Sequence, residues 1–377
     1  MINNYFHTGD MTFKEKIFSL DFKLIFLVFL LGIISFFSIY STERGNFEYY
    51  TLSHIYRFCT FFLLFIVLSF VRLNFWHKYA YLFYAIILAL LFAVHFFGIT
   101  ASGSTRWIRL LNINLQPSEL MKVGIIICLA RYYSRRPLAD VSKLKFMIVP
   151  TFILFIPTAV IINQPDLGTA LLIVMSGVVV IWLAGYKTKY FAYMFTLAVC
   201  SAPFVIAFLK PYQKLRILTF FNPERDPLGA GYQILQSKIA IGSGGIFGKG
   251  FLKGSQSYLD YLPEKHTDFI FTLFSEEFGF IGSVFLLIVF ALIVYRIIKI
   301  CTESKGNFAK LYCYGFGAAF FIYVAVNMSM VLGLLPIVGA PLPIMSYGGS
   351  AMLSMMIGLG IVMSCKIFGQ HQFPKEG

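Results

Sequence analysis

The sequence predicts an all-α fold, that of a polytopic integral membrane protein with about ten transmembrane helices. Among the 377 residues, 58% are hydrophobic and 13% are charged, whereas a soluble domain carries roughly a quarter charged residues. Mean hydropathy is +0.77. Apolar runs of about 20 residues, the length that crosses a bilayer as a helix, recur at 24–41, 55–71, 77–98, 117–132, 145–162, 168–185, 189–209, 268–296, 311–334 and 346–366.

Ten spans place both termini on the same side of the membrane, and the distribution of Lys and Arg predicts which side. With the N-terminus inside, the short inner segments are rich in these residues. Cytoplasmic segments carry the excess of positive charge, so both termini are predicted to be cytoplasmic. The chain is then a single domain, 1–377, with one long outer, periplasmic loop at about 210–267. The few basic residues of the short outer segments are Arg44, Arg57, Arg106, Arg109 and Lys122.

The basic balance of 31 Lys and Arg against 17 Asp and Glu does not indicate nucleic acid in a chain this apolar. It is typical of cytoplasmic loops that face anionic lipid, and no nucleic-acid partner is expected. The six cysteines are scattered without the spacing of metal or redox sites. We interpret them as small apolar packing residues.

The fourth span begins with Pro117, which suits the first turn of a helix. Glu119 and Lys122 stand one turn apart on one face, where they can form an ion pair. Because charges inside a span face a cavity or each other, this pair either holds the bundle together or lines a polar cavity. Upstream, Trp107 is typical of an interfacial anchor, and Arg106 could contact a phosphate of lipid or substrate.

Asp166 precedes the sixth span and suits the N-cap of that helix, although a role in a site stays open. Downstream, the glycine-rich stretch 222–256 includes a segment, 231–241, that predicts a short amphipathic helix at the membrane interface. The stretch 242–250 fails the nucleotide-binding pattern, because Lys249 is followed by Gly rather than Ser or Thr. It is either a flexible linker or a loop whose amides bind phosphate.

Asp268 opens the eighth span and has two interpretations. As the first residue of the helix, with Thr267 as the cap, it would be stabilised by the helix dipole. Glu276 and Glu277 follow on the same helix, and three carboxylates on one membrane helix favour a polar cavity. The last outer link, 336–350, holds three prolines and three glycines. It predicts irregular backbone that is covered by protein or lines a wet cavity.

These segments, in this order, resemble the SEDS family (shape, elongation, division and sporulation). The resemblance covers most of the chain from Arg106 to the C-terminus, and its motifs, taken in this order, are highly specific. The stretch 333–343 looks like the elongation branch more than the division branch. The first hundred residues match only in hydropathy, with Arg57 as the counterpart of a family arginine. The motifs are Arg106-Trp107, Gln116-Pro117-Ser118-Glu119 with Lys122, Gln164–Thr169, Gly231-Tyr232-Gln233 with Gln236-Ser237, Leu262-Pro263-Glu264 with His266–Phe269, Glu276-Glu277 and Ser346–Gly349.

The resemblance implies a multi-pass peptidoglycan glycosyltransferase of the bacterial inner membrane. Such an enzyme polymerises lipid II into β-1,4 glycan strands on the outer face during cell elongation and releases undecaprenyl pyrophosphate. Asp268 matches the family's essential aspartate and is predicted to be the base that deprotonates the acceptor hydroxyl. The candidates for substrate or pyrophosphate binding, or for lining the cavity, are Arg57, Arg106, Trp107, Gln116, Glu119, Lys122, Asp166, Gln233, Gln236, Lys238, Lys265 and His266.

The resemblance also implies partners: a class B penicillin-binding protein as the transpeptidase, and a rod-shape complex of the MreC and MreD type. No cofactor is firmly implied; a divalent metal, Mg²⁺ or Mn²⁺, is a candidate whose ligands are unknown. Three other functions stay open, namely a flippase for lipid-linked precursors, a non-catalytic scaffold and the division-branch paralogue. One-sided clustering of polar residues and the absence of an obvious inverted repeat favour the enzyme over a transporter.

Overall fold

The computed structural model describes residues 11–101, 104–110, 113–137, 141, 143–208, 211–226, 229–255, 261–262 and 264–369. Its helices, numbered in chain order, are α1 Phe13–Phe18, α2 Phe22–Thr42, α3 Tyr49–Ser69, α4 Leu73–Phe97, α5 Pro117–Ser134, α6 Ile148–Asn163, α7 Leu167–Leu183, α8 Thr188–Phe208, α9 Pro211–Phe221, α10 Ala230–Gly244, α11 Ile270–Glu303, α12 Asn307–Val331 and α13 Gly349–Phe368. Short 3₁₀ turns lie at Leu144–Phe146 and Pro223–Arg225.

Each of the ten predicted spans coincides with one of these helices, so the prediction of a mostly helical membrane fold is confirmed. Among the described residues, α2, α3, α4, α11, α12 and α13 are long and apolar enough to cross a membrane. Helices α6 and α7 are apolar but shorter. The loop predicted at about 210–267 contains α9 and α10; its residues 210, 227–228, 256–260 and 263 lie outside the described ranges.

Helix α5 is the centre of the bundle. It begins at Pro117, as predicted, and residues 117–130 are all buried. It packs against α4, α6, α7, α12 and α13. A helix surrounded by protein does not need a uniformly apolar surface, which explains how α5 holds Glu119 and Lys122 within a membrane bundle.

The sequence predicted no strands, yet a three-stranded antiparallel sheet lies between α4 and α5. Its strands are β1 Ile99–Ala101, β2 Ser104–Leu110 and β3 Ile113–Leu115, in the order β1-β2-β3. Thr, Ile and Trp favour extended backbone, and the hairpins pair Ile99 with Trp107 and Ile108 with Leu115. Hydropathy reasoning missed the sheet because its strands are three to seven residues long.

The link between α12 and α13, residues 332–348, is non-helical, as its prolines predict; we call it the return loop. Its residues Ala340, Leu342, Ile344 and Met345 are buried, so its backbone groups need partners within the protein. One partner is Ser35 of α2, whose Oγ donates to the Met345 carbonyl at 2.9 Å. The return loop is therefore packed into the bundle.

Helix α11 is interrupted at Gly279, where φ is 65° and ψ is −161°. Residues 245–250 pair with the break. The Lys249 amide donates to the carbonyl of residue 276 and the Gly250 amide to that of residue 277, both at 3.0 Å, and the Phe280 amide donates to the Gly245 carbonyl at 2.9 Å. These bonds satisfy backbone groups that a helix interruption would otherwise leave without partners. The helix break is thus stabilised by its own partner segment, residues 245–250.

Candidate active site

Asp268 lies in a turn that precedes α11, which corrects the prediction that it is the first helical residue. The helix begins at Ile270 with Phe269 at the N-cap. The Thr267 hydroxyl, predicted to cap the helix, donates to the Glu264 carboxylate at 2.6 Å. The hydroxyl is thus engaged locally, and the backbone of this turn is also held by contacts from distant parts of the chain.

Three consecutive carbonyls of this turn each accept a hydrogen bond from a different group. The His266 carbonyl accepts from the Tyr347 amide at 2.8 Å, and the Thr267 carbonyl accepts from Ser346 Oγ at 2.7 Å. The Asp268 carbonyl accepts from Asn327 Nδ2 at 2.9 Å. The turn is therefore fixed against the return loop and α12.

Gly339 of the return loop faces the Asp268 carboxylate. Its φ is +69°, a left-handed conformation that side chains rarely adopt, and an added Cβ would stand 3.6 Å from Asp268 Oδ2. The glycine thus leaves open the space directly beside the carboxylate.

Gly339→Ala is expected to lower activity at least about tenfold, because it combines an unfavourable backbone conformation with a methyl group beside the carboxylate. The matched control is Gly242→Ala on α10, where an added Cβ meets nothing within 4 Å and alanine favours the helix. Initial rates of the glycan polymerisation that the resemblance implies, measured with equal amounts of folded protein, test the effect. Equal rates for the two variants would contradict it.

An aromatic wall borders the Asp268 turn. The His266 ring stacks on Tyr50 with centroids 4.1 Å apart, and His266 Nδ1 lies 2.6 Å from Thr42 Oγ1. Tyr50 meets Tyr347 edge to face at 5.0 Å, and the Arg57 guanidinium lies 4.6 Å from the centre of the Tyr347 ring. Burial raises the pKa of the Tyr347 phenol. The structure thus brings His266 and Arg57 to the same region as Asp268.

A second polar cluster lies around α5 and the start of α7. Lys122 Nζ is 2.6 Å from Glu119 Oε2, as predicted, and 3.7 Å from the centre of the Tyr323 ring. Lys122 and Glu119 are each 3% exposed. This buried ion pair is therefore an internal structural element of α5. It also faces the other residues of this cluster.

Asp166 joins Arg106 and Gln116 in the same cluster. Its Oδ1 accepts from the Thr169 amide at 3.1 Å, which confirms the predicted N-cap of α7. Its Oδ2 lies 3.5 Å from both Arg106 Nε and Gln116 Nε2. Asp166 is 2% exposed. It caps the start of α7 and lies beside the Arg106 guanidinium.

The first turn of α13 lies between the two clusters. The backbone amide of Gln116 donates to Ser350 Oγ at 2.8 Å, and an added Cβ at Gly349 would stand 3.7 Å from the Arg57 side chain. Among the described residues, no side chain caps this helix. The uncapped backbone amides of its first turn, together with Arg57, form an electropositive region beside the Asp268 turn.

Other predicted site residues lie elsewhere. Gln233 and Gln236 are half-buried and Lys238 is exposed, all on α10, which contacts α11 through a 2.8 Å hydrogen bond between Ser237 and Thr272. In the described part of the chain, these three side chains do not enter the hydrogen-bond network around Asp268. Trp107 is half-buried on β2. Lys265, in contrast, is buried within the Asp268 turn itself. Pro263, a member of one motif, lies outside the described residues.

The glycine-rich stretch 242–250 is neither a flexible linker nor a phosphate loop. The amides of Lys249 and Gly250 already donate to α11, and Lys249 Nζ lies 2.6 Å from Glu276 Oε1. Ser41 donates to the neighbouring Glu277. Glu276 and Glu277, expected to extend the polar cavity, instead bind this segment and α2 to α11.

Metal binding finds limited support in the side chains. Across the described ranges, no group of three or more His, Cys, Asp or Glu side chains is arranged to hold a metal. Mg²⁺ is often held by one or two carboxylates together with substrate phosphates. A divalent ion in this region would accordingly take most of its ligands from a bound phosphate group.

One residue of the site, Asn327, escaped the sequence analysis. It is fully buried on α12. The signal that could have found it is a single amide side chain in an otherwise apolar span, because polar residues within membrane helices usually form hydrogen bonds to neighbouring segments.

Comparison with known proteins yields consistent similarities. Residues 18–371 match the family model FTSW_RODA_SPOVE, described as cell cycle protein. The chain is 42% identical over 292 residues to the peptidoglycan glycosyltransferase MrdB of Escherichia coli K12, covering 77% of each chain. It is 36% identical over 297 residues to a probable peptidoglycan glycosyltransferase FtsW of Trichlorobacter lovleyi, covering 77% of this chain and 76% of that one.

A solved structure is similar over nearly the whole length. It is a chain from work on the structural coordination of polymerization and crosslinking by a peptidoglycan synthase complex. The TM-score is 0.79 at 30% sequence identity, and the match covers 92% of this chain and 97% of that chain. The helix arrangement described above is therefore shared with a member of such a complex.

Proposed function

The chain belongs to the family of cell cycle proteins that comprises FtsW, RodA and SpoVE, and from that premise we propose that it is a peptidoglycan glycosyltransferase. It is a multi-pass protein of the bacterial inner membrane. It polymerises lipid II into β-1,4 glycan strands and releases undecaprenyl pyrophosphate. Relatives that carry the name peptidoglycan glycosyltransferase, at 42% and 36% identity, support the reaction class.

The observation that carries the proposal is the Asp268 carboxylate, held in a fixed turn beside an open glycine and an electropositive region. The 4-hydroxyl oxygen of the acceptor sugar forms a bond to the anomeric carbon of the donor sugar. The bond between that carbon and the pyrophosphate oxygen breaks, and its electron pair leaves with the lipid pyrophosphate. Asp268 accepts the hydroxyl proton as the general base. One such displacement converts an α-linked donor into a β-linked chain.

The negative charge of the leaving pyrophosphate is best stabilised by cations that no carboxylate among the described residues already neutralises. Arg57 packs on Tyr347 and lies at the uncapped start of α13. Lys122 is closely paired with Glu119, and Arg106 lies near Asp166. We therefore assign Arg57 to the pyrophosphate, because preorganised cations and helix N-termini stabilise developing negative charge. The Glu119–Lys122 pair shapes the cavity.

The elongation branch is the better assignment within the family. Identity to MrdB, 42%, exceeds the 36% identity to the FtsW relative. The matching partner is a class B penicillin-binding protein that crosslinks the strands, and the similar synthase complex supports such an association. A rod-shape complex with MreC and MreD belongs to the same proposal. Depletion of the protein should then give rounded cells, whereas depletion of a division enzyme gives filaments.

Reconstitution tests the function. Purified protein in liposomes with labelled lipid II should form glycan strands, at a higher rate when its cognate class B penicillin-binding protein is present. Movement of the label between leaflets without strand formation would instead identify a flippase. A transpeptidase that polymerises equally well without this chain would reduce the chain to a scaffold.

Removal of divalent metal is expected to lower the polymerisation rate by roughly tenfold or more, because a divalent ion bound to the substrate pyrophosphate would share the leaving-group charge with Arg57. The measurement compares rates in EDTA with rates after Mg²⁺ or Mn²⁺ is restored. Added NaCl at matched ionic strength is the control, since general screening acts on all exposed charges. An unchanged rate in EDTA would show that the protein's own cations suffice.

A further inference from the structure

The backbone at Asp268 is not fixed by helix geometry, because α11 begins two residues later at Ile270. Besides the bonds that the Glu264 carbonyl accepts from the amides of Thr267 and Phe269, its conformation depends on the three donors that reach the carbonyls of residues 266, 267 and 268. Two of these donors, Ser346 and the Tyr347 amide, belong to the return loop. The third, Asn327, belongs to α12 and is the one that contacts the catalytic residue itself.

Asn327 uses both hydrogens of its amide. Nδ2 donates to the Asp268 carbonyl at 2.9 Å and to the Ala340 carbonyl at 2.6 Å. The side chain is 0% exposed, so no solvent competes for these bonds. One planar group therefore spans the gap between the Asp268 turn and the return loop, and it fixes the separation of the two backbones.

That separation matters for the carboxylate. Ala340 directly follows Gly339, whose missing side chain leaves the space beside Asp268 Oδ2. The same amide thus holds the base on one side and the residue that faces it on the other. A displacement of either backbone moves the carboxylate relative to the place where an acceptor hydroxyl must lie.

We propose that Asn327 is a positioning residue, which orients the Asp268 carboxylate by bridging the Asp268 and Ala340 carbonyls. The inference rests on the proposed role of Asp268 as the base. Because Asn327 is 0% exposed, its loss is expected to affect the chemical step rather than binding. Misplacement of a reacting group by about 1 Å can reduce a rate by roughly 10²-fold.

The test is Asn327→Leu, which keeps a similar branched shape and removes both donors. With the purified complex of chain and transpeptidase, we expect kcat to fall at least about tenfold while KM and the affinity for labelled lipid II stay within about twofold. Tyr312→Phe on the same helix is the control. It removes one buried hydrogen bond, of 3.2 Å to the Gly358 carbonyl, and should keep kcat.

Thermal melting separates positioning from general stability. The proposal is supported if Asn327→Leu has the same melting temperature as Tyr312→Phe but a much lower kcat. An unchanged kcat overturns it. So does a loss of kcat that is accompanied by a comparable loss of melting temperature or of affinity for lipid II. If Asn327→Leu does not insert, Asn327→Ser, which retains one hydroxyl donor, must show the same separation of kcat from KM.

The Asp268→Asn variant in the same assay distinguishes the two proposals. If Asp268→Asn polymerises at the wild-type rate, the base assignment itself is wrong. If Asp268→Asn is inactive and Asn327→Leu is fully active, only the positioning role is wrong. Where Asp268→Asn keeps a measurable residual rate, adding Asn327→Leu should not lower that rate further, because residues that act as a unit are strongly non-additive.

Discussion

Asp268→Asn is expected to lower the rate of glycan polymerisation by roughly 10²–10⁴-fold, the contribution typical of a positioned general base. The amide has nearly the same shape as the carboxylate but cannot accept the hydroxyl proton. The three hydrogen bonds to the carbonyls of residues 266–268 involve backbone acceptors, so the turn should keep its conformation. The protein should therefore insert and melt normally while its chemistry is lost.

The control for this variant is Glu303→Gln, which neutralises a carboxylate at the opposite end of α11. Glu303 lies on the surface, where it pairs with Lys366, and exposed pairs contribute little to stability. Its rate should equal that of the wild type. A normally inserted Asp268→Asn protein with the same rate would remove Asp268 from the reaction.

Lys122→Met is expected to destabilise the fold by about 3–5 kcal/mol, because it leaves the buried Glu119 carboxylate without its counter-charge. Both side chains are 3% exposed, so water cannot replace the lost partner. The double variant Glu119→Gln with Lys122→Met removes both charges and should recover most of the stability. Thermal melting of the purified proteins in one detergent measures the difference.

Activity of the double variant then separates the two roles that the sequence left open for this pair. If Glu119 and Lys122 only shape the cavity, the double variant should polymerise within about tenfold of the wild type. A stable but inactive double variant would assign the pair to substrate binding. Equal melting temperatures for the single and double variants would contradict the unpaired-charge argument.

Features encoded by short-range pattern were predictable from the sequence. The ten spans follow from the length and hydropathy of apolar runs. The Glu119–Lys122 pair follows from helix periodicity, and the Asp166 cap follows from its position before an apolar run. Each depends on residues within a few positions of one another, where helix geometry determines which side chains meet.

Features created by distant contacts were not predictable. Thr267 has a good capping sequence, but its hydroxyl and carbonyl are engaged by Glu264 and Ser346, so α11 begins later. The amides of Lys249 and Gly250 are taken by carbonyls of α11. Asn327 gives no periodic signal, and its importance depends on which carbonyls the fold places beside it. Tertiary contacts of this kind override local preference.

The break at Gly279 has a consequence for bilayer thickness. An unbroken helix of 34 residues would be about 51 Å long, far more than the ~30 Å hydrocarbon core. The break leaves residues 280–303, about 36 Å of helix, to match the lipid, while residues 270–278 are held among protein neighbours. Stretching or thinning of the bilayer can then be absorbed by tilt of the longer part. The depth of Asp268 is set by the protein, so polymerisation should vary little among lipids of different chain length.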